Sequence, residues 1–390
     1  MESYALNVGG GPGLSNPSSI ATALKRLHDA GEGTGEARSR FDMVNVLNRI
    51  ELEGLQTTEV LLGEDGGLGQ PPLAAATLLI EPKFTRGGAS AVAHVSELVG
   101  IADHRLALLL RLVEQARAAG CYKVIIDAPA TEEALLTRAG FSRKEATMIA
   151  VLEAGDRGYS TSAASASPLH SRVPRRLAGE GALAEVKLRP LEEFDGASGA
   201  QYVTMLEQLT KAPALSPEVF CKQLARVRRS AGMHVVLVAE QRLDDGAGAG
   251  GADAVTATRM AALSMAVGGD AGDVAAAVAA AARGGGAAGS GGGSSGGSSR
   301  SRLVGCGTLV LERTPLRSGG LRCHIEEVVV DTAARGAGIG RALVCSLLEV
   351  AAECGADSAS LNCADENVGF YEKVGFRRAP DGVSSFALYF

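Results

Sequence analysis

"HIEEVVVDTAARGAGIGRAL", residues 324–343, decides how this chain is read. An apolar run, Val328, Val329 and Val330, leads into a loop carrying Gly336, Gly338 and Gly340, with Ala337 and Ile339 between them. Beyond it Leu343, Leu347, Leu348 and Ala351 recur at helical spacing, which predicts a helix over 341–354. A strand, a glycine-rich turn and a helix start gather free backbone N–H groups at the positive end of a helix dipole. Glycine tolerates positive φ and lets an anion approach closely. Arg335 and Arg341 add positive charge, so the stretch reads as a phosphate or pyrophosphate cradle. A P-loop would need Gly-Lys-Ser/Thr where this loop has Gly-Arg-Ala. A dinucleotide fingerprint would need G-x-G-x-x-G and an acid about 20 residues on; here the spacing is G-x-G-x-G and the next strand ends at neutral Asn362.

A second motif follows in "ENVGFYEKVGF", residues 366–376. Asn367 and Tyr371 stand one helical turn apart. A tyrosine just past a strand suits protonation of a leaving thiolate.

Working outward, the chain repeats itself. "HVSELV" (94–99) echoes "HIEEVV" (324–329), and "AGCYKVIIDA" (119–128) parallels "CGADSASLNC" (354–363). His94 and His324 differ by 230 positions, whereas Gly120 and Gly355, and Asp127 and Asn362, differ by 235. The first copy is therefore 235 − 230 = 5 residues shorter between its histidine and its glycine. No glycine occurs between Gly100 and Gly120, so the cradle is the part removed. Each copy reads as a β-rich segment, a central strand, a helix, a strand, a short helix and a final strand, the last near Ser384–Phe390 in the second copy. That is a mixed α/β (α+β) layer fold in two tandem domains. The boundaries read as a disordered N-terminus over 1–20, a degenerate first domain over 21–153, a linker over 154–184 and a second domain over 185–390. An alanine-, glycine- and serine-rich insertion over 244–302 has too few large apolar side chains to offset the entropy of ordering it.

Composition narrows the classes. A formal charge of −6 argues against broad attraction to nucleic acid or an anionic membrane. No apolar run is long enough to span a bilayer, and the N-terminus lacks the pattern of a signal peptide. Seven scattered cysteines without a CxxC pair argue against a disulfide framework or a zinc site. The expectation is a reduced cytoplasmic protein without a metal.

Together, "CHIEEVVVDTAARGAGIGRAL", "GTLVLER", "LEQLTKAPALSPEVF" and "NVGFYEKVGF" resemble the GNAT superfamily, specifically its glucosamine-6-phosphate N-acetyltransferases. The likeness covers about 187–390 outside the insertion, and more weakly 40–152, through "IEPKF" and "GCYKVIID". It implies acetyl-CoA as cosubstrate, with Arg335, Gly338 and Gly340 meeting the family's Arg-x-x-Gly-x-Gly loop. Gly336 to Arg341 would hold the pyrophosphate, and Val328–Val330 would offer strand backbone to the pantetheine arm. Asn367, Tyr371 and Lys373 would lie near the thiol, with Tyr371 as general acid. The resemblance further implies that Glu326 and Glu327 contact the amino sugar and that Thr210 contacts its phosphate. Glu326 would also receive or orient the amine's proton. The product would feed UDP-N-acetylglucosamine synthesis.

The second copy departs from that pattern on the substrate side. Asp357, Ser358 and Asn362 stand where the family has Tyr, Lys and an acid, and Thr314 stands where it has a lysine. The first copy keeps Tyr122, Lys123, Asp127 and Lys83 but has Leu136 for the tyrosine and Ser96 for Glu326. The family forms homodimers with sites at the subunit interface. The complementary losses therefore imply a monomer whose halves form an intramolecular pseudo-dimer with one composite site. Two rivals stay open: a GNAT enzyme for another amine, such as a polyamine or a protein lysine, and a noncatalytic acetyl-CoA-binding regulator.

Overall fold

The computed structural model describes residues 17–29, 40–62, 72–86, 90–152, 186–197, 201–230, 233–243, 300–316 and 320–390. The linker 154–184 and the insertion up to residue 299 lie outside the described residues. Helix α1 (Pro17–Asp29) takes up the end of the stretch 1–20 read as disordered. Its Ile20, Ala21, Ala23 and Leu24 are buried, and that apolar stripe orders it.

The first half continues with α2 (Arg40–Glu53), β1 (Gln56–Leu61), β2 (Ala74–Lys83), β3 (Ser90–Gly100), α3 (Ala102–Ala118), β4 (Cys121–Ala128), α4 (Glu133–Arg138) and β5 (Ser142–Val151). The second half runs β6 (Val186–Pro190), α5 (Phe194–Ala197), α6 (Gln201–Leu206), α7 (Pro217–Arg228), β7 (His234–Leu243), β8 (Arg300–Thr314) and β9 (Gly320–Val330). It ends with α8 (Ile339–Glu353), β10 (Ser358–Cys363), α9 (Val368–Glu372), β11 (Arg377–Arg378) and β12 (Ser384–Tyr389). Helix α8 starts two residues earlier than its apolar spacing predicts. Gly338 at φ 82° turns the chain into it, and Ile339 is already buried.

All strands form a single sheet in the order β1-β2-β3-β4-β12-β5-β10-β9-β8-β7-β6, with β11 beside β5. The final strands are exchanged. β12 of the second half pairs with β4 of the first, and β5 of the first pairs with β10 of the second. β5 and β12 also pair with each other at the centre. The sequence reading left each final strand unassigned to a neighbour; the structure places it in the other half. Two tandem mixed-sheet domains thus form an intramolecular pseudo-dimer.

The two copies match closely at the junction. Each has a β-bulge at the same place, with Glu97 at φ 54° and Glu327 at φ 53°. Thr77 donates to Glu97 and Thr308 to Glu327, both at 3.4 Å. His94 and His324 stack with ring centroids 5.6 Å apart, as equivalent residues do beside a twofold axis. The cores interlock as well. Phe84 of the first half packs on Tyr202 and Phe220 of the second, and Leu316 of the second joins the core under α1 and α2.

Candidate active site

β9 pairs with β10 only from Arg322 to His324. Past that point the strands diverge, while β9 keeps its pairing to β8 through Val330. The β10-facing edge of residues 325–330 is left as open backbone, a natural seat for an extended chain bearing amides. Val329 is buried in the core, and Val328 and Val330 are half-buried.

The glycine loop follows directly. Gly336 and Gly338 sit at φ 83° and 82°, the left-handed region. A Cβ built on Gly336 would meet nothing within 4 Å, so the space over the loop is open. At Gly340 a Cβ would lie 3.3 Å from Val330 Cγ2 and 3.4 Å from Phe370 Cζ, so the bare backbone lets α8 press against both. No side chain caps the N-terminus of α8, which leaves the first-turn N–H groups of 338–341 for a ligand. Arg335 Nε donates to the Val330 carbonyl at 3.2 Å and folds back over the strand end. Ala337 is half-buried and Arg341 exposed. These residues fit a pyrophosphate. In the first half α3 begins at Ala102, directly after β3, with Ile101 as its N-cap, so no equivalent nest forms.

Helix α9 carries Tyr371, half-buried against Phe370 and Phe376. Asn367 and Lys373 are exposed at its two ends. Burial, with Cys363, Glu326 and Glu145 nearby, pushes the Tyr371 phenol up to about 12. Three elements thus bring groups within electrostatic range of it: Cys363 from β10, Glu326 from β9, and Glu145 from the exchanged strand β5.

Asp127, at the end of β4, belongs to the same group. Burial raises its carboxyl, opposed by His324, His94 and a hydrogen bond with Asn362. Its Oδ1 is buried with no hydrogen-bond partner among the described residues. Asn362 also accepts from Thr147 of β5 at 2.9 Å. The two residues at the matched strand ends, one from each half, therefore meet across the sheet.

Beneath this group lies a buried ion cluster. Lys83 Nζ is 2.6 Å from Glu81, 3.5 Å from Glu326 and 3.6 Å from Glu327. Burial alone would favour the neutral amine, but Glu327, Glu81 and Glu326 hold its ammonium well above the usual range. Burial raises the Glu327 carboxyl, with Lys83 opposing. Glu81, His94 and Glu326 offer ligand atoms within 4.8 Å of one another, but the Lys83 ammonium already supplies the cation there. The second copy, with Thr314 in the lysine's place, balances its Glu312 by Arg322 at 3.2 Å and His324 at 2.8 Å. Ser96 of the first half, which stands where the second has Glu326, donates to Glu312.

Thr210 lines an open cleft of about 590 Å³ with Arg86, Glu207, Lys211, Ala212 and Pro213. Arg86 comes from the first half; its guanidinium lies 4.6 Å from the centroid of the Tyr122 ring and its backbone N–H donates to the Lys211 carbonyl. Lys123 Nζ is 6.0 Å from the same centroid. Lys123 is in turn within electrostatic range of Glu145.

Arg143, Lys144, Arg377 and Arg378 do not line this cleft. Arg143 donates to Ser384, Lys144 lies over Tyr389, and Arg378 pairs with Asp365. Sequence reasoning missed Glu145, Arg86 and Lys211. Glu145 follows two basic residues in "SRKE", and Arg86 stands in "TRGG", and neither stretch carries a motif. Arg86 carries φ 59°, unusual for a residue other than glycine. Among the described residues no helix is long and apolar enough to cross a membrane.

The sequence model of the Acetyltransferase (GNAT) family matches residues 292–376. A probable glucosamine 6-phosphate N-acetyltransferase 2 of Oryza sativa subsp. japonica is 31% identical over 205 residues, 53% of this chain and 88% of that protein. The glucosamine 6-phosphate N-acetyltransferase of Schizosaccharomyces pombe is 40% identical over 87 residues, 22% of this chain and 78% of that protein. Among solved structures, a tandem GNAT protein from the clavulanic acid biosynthesis pathway is 13% identical with a TM-score of 0.45, covering 100% of this chain and 98% of that one.

Proposed function

We propose that this chain, which belongs to the GNAT acetyltransferase family, acetylates the amine of D-glucosamine 6-phosphate from acetyl-CoA at one composite site between its halves. The product would enter UDP-N-acetylglucosamine synthesis. One observation carries the reading: Glu326 of the second half and Glu145 of the first are both within electrostatic range of Tyr371, with Asp127 in range of each of the two, while Lys123, in range of Glu145, and Arg86, in the cleft with Thr210 and Lys211, both lie at the Tyr122 ring. Carboxylates suit a cationic amine, and a guanidinium, an ammonium and a hydroxyl suit a phosphate.

Acetyl-CoA would supply the acetyl group as a thioester. The N–H groups of 338–341 and the Arg335 guanidinium would hold its pyrophosphate. The open edge of residues 325–330 would take the pantetheine amides and polarise the thioester carbonyl. Glu326 and Asp127 would orient the amine, Lys83 would keep Glu326 and Glu327 in place, and Asn367 and Lys373 would flank the thiol. Tyr371, a neutral phenol at physiological pH, would protonate the departing thiolate. Titration of the full chain with coenzyme A should give one equivalent per chain, because the nest exists in one half; two equal sites would contradict this assignment.

The assay that tests the function follows thiol release from acetyl-CoA with glucosamine 6-phosphate, glucosamine, a polyamine and a lysine peptide. Preference for another amine would overturn the sugar-phosphate assignment. Asp127→Asn should cost roughly 10-fold to 150-fold in kcat/KM, as for a charge-assisted hydrogen bond lost. Coenzyme A affinity and melting temperature should barely change. Wild-type efficiency in that variant would leave the second half acting alone.

A further inference from the structure

Glu145 stands where the exchanged strand β5 breaks register. Ser384 pairs with Ala146 and Phe386 with Arg143, so Lys144 and Glu145 of β5 together face the single residue Ser385 of β12. That is a β-bulge, which twists a strand locally and re-aims its side chains. The two extra side chains part company. Lys144 turns to Tyr389, its Nζ 5.6 Å from the ring centroid. Glu145 directly precedes Ala146 and Thr147, which pair with Cys363 and Asn362 of β10, and it is within electrostatic range of Lys123 and Asp127 from β4 and Glu326 from β9, as well as of Tyr371 and Cys363. On the other side Ser385 pairs with Asp127, whose Oδ1 is buried without a partner. Glu145 keeps enough of its surface in solvent to be open to a ligand, although its carboxyl is partly desolvated.

We infer that Glu145, carried into the site by the β5 bulge, is the general base that takes the first proton from the substrate ammonium. The inference rests on the proposed acetyl transfer and adds a residue to it. Glu145 accepts one N–H proton, and the freed lone pair forms the N–C bond to the acetyl carbonyl carbon. The C–S bond breaks with its electron pair on sulfur, which takes the phenolic proton of Tyr371. The second N–H proton, lost as the amide forms, returns to the tyrosinate, and Glu145 gives its proton to solvent. Geometry favours Glu145 over its neighbours for this step. Glu326 is already paired with Lys83, and Asp127 is engaged by Asn362 and lies deeper. Partial burial, opposed by Lys123 and reinforced by Glu326 and Asp127, raises the Glu145 carboxyl, which suits a proton acceptor that must release its proton again.

The test compares wild type, Glu145→Gln and Glu145→Asp, using the amine that the assay panel identifies. A different amine would correct the substrate reading without deciding this one. Glu145→Gln should lower kcat/KM by roughly 10²-fold at about pH 7, a loss that shrinks as pH rises and solvent deprotonates the amine unaided. Glu145→Asp should recover part of it. A second readout needs no acetyl-CoA. Calorimetry of amine binding at about pH 5, in buffers of different ionisation heat, should show the wild type releasing up to one more proton than Glu145→Gln. The cation lowers the carboxyl's pKa on binding and expels its proton. A loss equal at every pH, no loss at all, or equal proton release would overturn the assignment.

Discussion

Lys83→Met should lower stability by about 3 kcal/mol, a fall in melting temperature of roughly 4–6 °C for a chain of this size. The side chain of Lys83 is 3% exposed, and its ammonium is the one cation among the described residues within 4 Å of Glu81, Glu326 and Glu327 together. Methionine fills the space but leaves three carboxylates crowded with little water. Protonation of Glu327, already raised by burial, would relieve part of the repulsion, which is why the expected figure lies at the low end for a broken buried pair. Glu81 and Lys83 come from β2 while Glu326 and Glu327 come from β9, so the loss falls on the junction between the halves. Differential scanning calorimetry on the full chain measures it. An unchanged melting temperature would mean that the cluster contributes nothing net to folding. Activity should fall as well, since Glu326 loses the contact that fixes it.

Tyr371→Phe should reduce kcat by roughly 10²-fold to 10³-fold and leave coenzyme A affinity nearly intact. The ring is held by Phe370 and Phe376, and phenylalanine keeps that packing. Only the O–H is lost, and with it the proton for the thiolate. The phenol sits at about 12, so it is protonated across the working range and the loss should vary little with pH from this group alone. That behaviour separates Tyr371 from Glu145, whose loss should shrink as pH rises. Stopped-flow measurement of thiol release is the check, because a slow product step would mask the effect in steady state. Full single-turnover rates in the phenylalanine variant would remove Tyr371 from the reaction.

Local features can be read directly from the residue order. The glycine nest is a run of six residues between an apolar strand and an amphipathic helix, and its position follows from φ requirements and helix-end hydrogen bonding alone. The missing five residues of the first copy, and hence the single nest, were legible from spacing. So was the complementary distribution of Tyr371 and Asp127 between the copies. What only the tertiary structure decided is who neighbours whom. A strand shows its apolar pattern to the faces of a sheet, but its edges are the same N–H and C=O groups whatever the sequence. Nothing in Ser142–Val151 or Ser384–Tyr389 could tell that each would pair with the other half. That exchange puts Glu145 beside Tyr371, 226 positions along the chain (371 − 145), and the interlocked junction puts Lys83 beside Glu326 and Arg86 beside Thr210. A β-bulge shifts alternation by one residue, so the direction of Glu145 depends on its partner β12 and not on the residues around it.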